Sequence, residues 1–234
     1  MVLLGTLVNG LCIAGGAILG RFLQNIPSRM KETVLCGIGL AVIVLGLQMG
    51  FKSGNFLIVI LSLVGGAAIG EWIDLEKLLN AAGKSIERRM KPTEGSSIAQ
   101  GFVTGTLIFC IGAMSVLGAL DSGIRNDHQI LLTKAIIDGF TALVLSSTLG
   151  IGVIFSAVPV MIYEGAIALF ATQINKWVPG GLMDSFILEM TAAGGVMIMA
   201  IGLNILGITK IRVANLLPGI AVTALITSIV YYWP

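Results

Sequence analysis

The sequence predicts an all-α fold: a polytopic transmembrane helical bundle of about eight spans. Charged residues make up only 11% of the 234 residues while hydrophobic types reach 56%, and the mean hydropathy is +0.99. A soluble domain carries about 25% charged residues, so this chain cannot clothe a water-facing surface of its own size. The apolar residues also fall in runs long enough to cross about 30 Å of hydrocarbon. Open sheet is excluded, because unpaired backbone in lipid costs several kcal/mol per group, and the runs lack the alternation of barrel strands.

In chain order the expected spans are 2–20, 33–50, 55–70, 101–120, 129–150, 153–174, 185–207 and 213–232. The first has no basic segment before it and no clear cleavage site, and reads as a retained span rather than a signal peptide. Between the third and fourth spans lies an amphipathic stretch. From Glu71 to Lys91, Leu75, Leu79, Ala82, Ile86 and Met90 recur at helical spacing, with Lys77, Lys84, Glu87, Arg88 and Lys91 mostly opposite. This predicts a cytoplasmic helix on the lipid headgroups with Trp72 at the interface, either a plain connector or a lipid sensor. Thr93, Gly95, Ser96 and Ser97 then form a flexible tether, so that 71–98 is helix plus linker within one membrane domain covering 1–234. In 129–174, Gly150, Gly152 and Pro159 leave three readings open: two spans, a re-entrant hairpin, or one span with a segment in the lipid plane.

With eight spans, Arg21, Arg29, Lys31, Lys77, Lys84, Arg88, Arg89, Lys91, Lys210 and Arg212 fall on one side, and Lys52, Arg125, Lys134 and Lys176 on the other. Loops rich in Lys and Arg face the cytoplasm, which places both termini outside. A single crossing in 129–174 would weaken that bias without reversing it.

Small residues recur in a pattern suited to close helix packing. GGAILG closes the first span at 15–20 and GGAAIG the third at 65–70, so Gly16, Gly20, Gly66 and Gly70 are packing positions, as are Gly101 and Gly105. Arg21 follows one signature and Glu71 the other, which predicts an ion pair between them. A second echo links GLAVIVLGLQ at 39–48 with GVMIMAIGLN at 195–204, and a fainter one links 31–52 with 134–153. Inverted repeats are therefore expected, with a broken-helix or re-entrant region near 146–160, the arrangement in which transporters place their sites.

Ionisable side chains inside the bilayer are costly and normally face a cavity or a partner. Glu164 lies mid-span, one turn beyond Pro159, and is the leading candidate for binding or coupling. Asp138 lies about two turns into its span and Lys134 four residues earlier, on the same helical face, so the two can form a structural ion pair as well as a functional one. Glu189 lies about one turn into the seventh span and either joins the path or reaches the interface. Asn9, Asn204 and the cluster Ser146, Ser147 and Thr148 supply uncharged hydrogen-bonding groups, the cluster at a point where Gly150 and Gly152 can break the helix.

Other chemistry is missing from the sequence. Cys12, Cys36 and Cys110 all fall in spans and are odd in number, which argues against a disulfide framework or zinc site. His128 stands alone, and no phosphate loop, nucleophile elbow or paired-histidine motif occurs. No enzyme activity, metal or cofactor is expected. A net charge of +2 gives no reason to expect nucleic acid.

The segments VNGLCIAGGAILG (8–20), CIGAMSVLGALDSGI (110–124), LLTKAIIDGF (131–140) and EMTAAGGVMIMAIGLNILGITKIRVANLLPGI (189–220) resemble the bacterial membrane-protein family known as domain of unknown function 554, essentially end to end. That resemblance implies a multi-spanning inner-membrane protein of transporter type, with no established substrate and no site to carry over. The expected function is a secondary transporter or channel for a small solute or ion in the bacterial inner membrane. The alternative is a membrane sensor or assembly scaffold. The expected partners are the lipid bilayer and the transported small molecule or ion, and the glycine-rich faces allow a homo-oligomer.

Overall fold

The computed structural model describes residues 1–22, 28–90 and 98–233, with the side chains of residues 28, 31, 86, 89, 90 and 113 left out. The tether expected at Thr93, Gly95, Ser96 and Ser97 lies outside the described residues. Ten α-helices follow one another among them: α1 (Leu4–Phe22), α2 (Ser28–Gly50), α3 (Phe56–Ile73), α4 (Leu75–Met90), α5 (Ile98–Cys110), α6 (Ala113–Arg125), α7 (Gln129–Leu149), α8 (Ala157–Trp177), α9 (Gly180–Ile205) and α10 (Gly219–Tyr232). Two short 3-10 turns, Ile151–Ser156 and Val213–Leu216, lead into α8 and α10. No strand occurs among the described residues. Seven helical segments are long and apolar enough to cross a membrane, and α5 with α6 makes an eighth if the bent pair is one span.

Local chemistry sets the helix ends. Asn55 caps α3, its side-chain oxygen accepting the Leu57 N–H at 3.2 Å. Asp74 closes α3 in the left-handed conformation at φ 57°, donating its N–H to the Gly70 carbonyl at 2.7 Å. The amphipathic helix therefore begins at Leu75 rather than Glu71, and Trp72 lies fully outward in the last turn of α3. Pro159 falls in the first turn of α8, where its missing N–H breaks no helical bond. The stretch 129–174 accordingly contains two separate helices of spanning length, parted by Gly150 at φ 92°.

The chain packs as two compact units. The first comprises Met1–Lys31, Leu79–Cys110 and Met114–Trp177; the second comprises Glu32–Leu78, Ile111–Ala113 and Val178–Pro234. In the first unit α1 and α7 lie side by side and parallel, with Gly5 against Leu131, Gly16 against Gly139, and Gly20 against Leu143. Successive spans alternate in direction, so an odd number of crossings must separate two parallel spans. The helices α2 and α3 supply two, and the bent pair α5–α6, taken as one span, supplies the third. Gly101 and Gly105 of α5 pack on Val153 and Ser156 of the 3-10 turn.

In the second unit Gly66 and Gly70 of α3 meet Gly219 and Asn215, and α2 crosses α9 with Gly39 on Gly202 and Gly46 on Gly195. All six packing glycines read from the sequence are thus occupied within the chain. A Cβ added at Gly16 would fall on the Gly139 carbonyl, and backbone cannot yield as a side chain can. Gly16→Val is expected to destabilise by about 1–3 kcal/mol or more, read as a lower thermal transition of the detergent-solubilised protein; an unchanged transition would contradict this packing.

Candidate functional site

The first unit buries a cluster of polar groups from four helices. Glu164 of α8 is completely enclosed, and Lys134 and Asp138 of α7 are 5% and 7% exposed. Asn9 of α1, 155 residues away in sequence, donates its amide to both carboxylate oxygens of Glu164, at 2.9 and 3.2 Å. The Lys134 ammonium lies 3.4 Å from Glu164 Oε1 and is hydrogen-bonded to Asp138 Oδ2. It also donates to the Phe109 carbonyl at 2.9 Å.

That carbonyl is available because the helix stops there. The fourth expected span is not continuous: Ile98–Cys110 and Met114–Arg125 meet at 61°. Gly112, at φ 155°, occupies the break. The last carbonyls of a helix have no intrahelical partner, and Phe109 O accepts both Lys134 and the Ser115 hydroxyl, the latter at 3.2 Å. The sequence reading expected its break near 146–160 and missed this one. The only local signal was Gly112 followed by Ser115, which looks like any other packing glycine.

With both acids ionised, one ammonium faces two carboxylates, a formal surplus of one negative charge. An unbalanced charge in an apolar interior is expensive. Further polar atoms nearby have no partner among the described residues: Asn9 Oδ1, Thr6 Oγ1 one turn earlier on α1, and Thr106 Oγ1 one turn before the break in α5. Such orphaned groups are unusual in a finished interior.

The other candidates sit elsewhere. In the Ser146–Thr148 cluster, Ser147 and Thr148 donate to carbonyls of their own helix and Ser146 to Ala17 O of α1 at 2.7 Å. Asn204 closes the loop after α9, its amide bonding Ile211 at both N–H and carbonyl and accepting the Thr209 hydroxyl. Glu189 belongs to the second unit, where it is 3% exposed and accepts Ser53 Oγ at 2.6 Å and the Gly54 and Asn55 N–H groups at 2.9 Å each. Glu71 takes Arg212 as its partner at 2.9 Å, in place of the expected Arg21. Asn215, which the sequence reading passed over, accepts the Glu76 N–H at 2.7 Å in the first turn of α4.

The profile of the family described as "Protein of unknown function (DUF554)" matches residues 4–228. The chain belongs to the DUF554 family. Within curated proteins this DUF554 member is 32% identical over 232 residues to "Uncharacterized membrane protein YdfK" of Bacillus subtilis (strain 168), covering 97% of this chain and 96% of that protein. It is 31% identical over 225 residues to "Uncharacterized protein YqgA" of Escherichia coli (strain K12), covering 94% of each. No solved structure matches it. The resemblance read from the sequence is thus borne out, and the DUF554 chain is a membrane protein with a polytopic helical fold.

Proposed function

We propose that this chain is a secondary transporter for a small solute in the bacterial inner membrane, with both termini outside, and that proton or cation uptake at the Asn9–Lys134–Asp138–Glu164 cluster drives it. The observation that carries the reading is the buried cluster of one ammonium and two carboxyl groups seated on a terminal carbonyl of a broken helix. Discontinuous helices in transporters offer their exposed carbonyl ends to coupling ions at mid-membrane depth. Here the Phe109 carbonyl holds the Lys134 ammonium beside two acids. When one acid takes up a proton, Lys134 loses an anionic partner and is freed to move relative to that carbonyl. A scaffold has no use for such an arrangement, since an apolar core of the same volume is often as stable as a buried ion pair or more so.

The packing of α2 on α9 in the second unit is compatible with the same reading. In the echo that aligns 39 with 195, position 43 corresponds to 199, 46 to 202 and 50 to 206. The contacts exchange accordingly: Gly46 meets Met199 while Gly202 meets Ile43, and Gly195 meets Gly50 while Gly39 meets Leu206. The two helices thus cross antiparallel, the sense that an inverted repeat of these segments requires.

Transport requires water to reach the cluster in some state of the cycle. Cys110 is a free, half-buried thiol next to Phe109. In a Cys12→Ser, Cys36→Ser background, Cys110 in proteoliposomes is expected to react with a small membrane-impermeant thiosulfonate. Complete protection from both sides, with reaction restored on unfolding, would indicate a sealed core and favour a scaffold.

A further inference from the structure

We propose that the second unit carries a separate binding site for a small organic ammonium ion, in the cleft between Asn55, Glu189, Thr227 and Tyr231. The cleft measures about 410 Å³ and is also lined by Ile58 and Leu188. Three donors converge on Glu189: both backbone N–H groups are on Oε1 and the Ser53 hydroxyl is on Oε2. Backbone N–H groups can only donate, so Oε1 is held as an acceptor by two fixed donors. No Lys or Arg pairs with it among the described residues, which leaves a 97% buried carboxyl group without a cationic partner.

A second, independent observation lies in the same cleft. Thr227 is 2% exposed, and its Oγ1 has no hydrogen-bond partner. A threonine within a helix ordinarily returns its hydroxyl to a carbonyl one turn back, as Thr223 does to Gly219 at 2.8 Å. An orphaned hydroxyl beside an uncompensated carboxylate asks for a ligand that is both cationic and a hydrogen-bond donor. Tyr231 adds an aromatic ring to the wall, and ammonium groups are attracted to such rings. Ile58 and Leu188 suit a short hydrocarbon chain. Tyr231, Tyr232 and Trp233 close α10 as exposed aromatics, and residues of this kind mark the membrane–water interface. The cleft therefore sits at headgroup depth, where a water-soluble amine with an apolar tail partitions.

The test uses the full chain in lipid nanodiscs, titrated calorimetrically with n-butylammonium, n-butanol and potassium chloride. Saturable binding of butylammonium, undisturbed by potassium and absent for butanol, is expected. Thr227→Val keeps the side-chain shape and should weaken binding about ten- to a hundredfold, the worth of one hydrogen bond to a charged group. Glu189→Gln should abolish it. If Glu189→Gln does not fold, Thr227→Val and Tyr231→Ala decide alone, each checked for an unchanged thermal transition. Absence of saturable binding to the unaltered chain, equal competition by potassium, or wild-type affinity in both Thr227→Val and Tyr231→Ala would each overturn the proposal. None of these readouts depends on flux.

Discussion

Replacing Lys134 by Met is expected to destabilise the protein by about 3–5 kcal/mol, the usual cost of removing one partner from a buried ion pair. Lys134 touches every anionic member of the cluster and the Phe109 carbonyl besides. Its loss leaves two enclosed carboxyl groups facing each other with only the Asn9 amide for support. The methionine itself fills the space of the lysine stem, so the penalty is electrostatic rather than a cavity. A companion variant isolates this cause. Lys134→Met with Asp138→Leu removes one charge of each sign and should recover most of the lost stability, because the remaining Glu164 can stay neutral and keep its Asn9 hydrogen bonds. Equilibrium unfolding in mixed micelles reads both. A double variant as unstable as the single one would show that Lys134 acts through packing.

Glu164→Gln is expected to change stability by no more than about 1–2 kcal/mol, since the amide matches the carboxylate in size and keeps an acceptor for Asn9. Its effect on activity should be far larger. A glutamine cannot gain or lose a proton, and it leaves Lys134 permanently paired with Asp138 alone, so coupled movement falls to background. Asp138→Asn serves as the internal comparison. It keeps Glu164 and its Asn9 contacts, so some residual coupling should survive there.

These expectations rest on residues that were legible in the sequence, while the contacts between them were not. Glu164, Asp138, Lys134 and Asn9 stand out because ionisable and amide groups are rare within long apolar runs, and the four-residue spacing of Lys134 and Asp138 places them on one helical face. Nothing local shows that Asn9 meets Glu164 across 155 positions. The break at Gly112 was hidden for a related reason. The run 101–120 carries no charged residue, and in a chain with 31 glycines one that bends a helix looks like one that packs it. The Ser146–Thr148 cluster drew attention for its polarity, yet Ser147 and Thr148 turn back to their own helix, the commonest fate of such hydroxyls in a span. Glu189 was noticed as an intramembrane acid; only the structure shows the N–H groups of Gly54 and Asn55 converging on it from the turn before α3. Helix boundaries followed capping chemistry, as at Asp74, where the left-handed turn separates α4 from a run that hydropathy alone had joined.

The proposed function depends on the Glu164 cluster coupling proton or cation movement to solute movement. Solid-supported-membrane electrophysiology on proteoliposomes tests it most directly, using a panel of inorganic ions, amino acids and organic acids, with and without a pH gradient and with isotope uptake to register electroneutral exchange. A solute-dependent signal is expected in the unaltered protein and should disappear in Glu164→Gln while that variant remains folded. Undiminished coupled flux in Glu164→Gln, or silence of the unaltered protein across the panel by both methods, would contradict it.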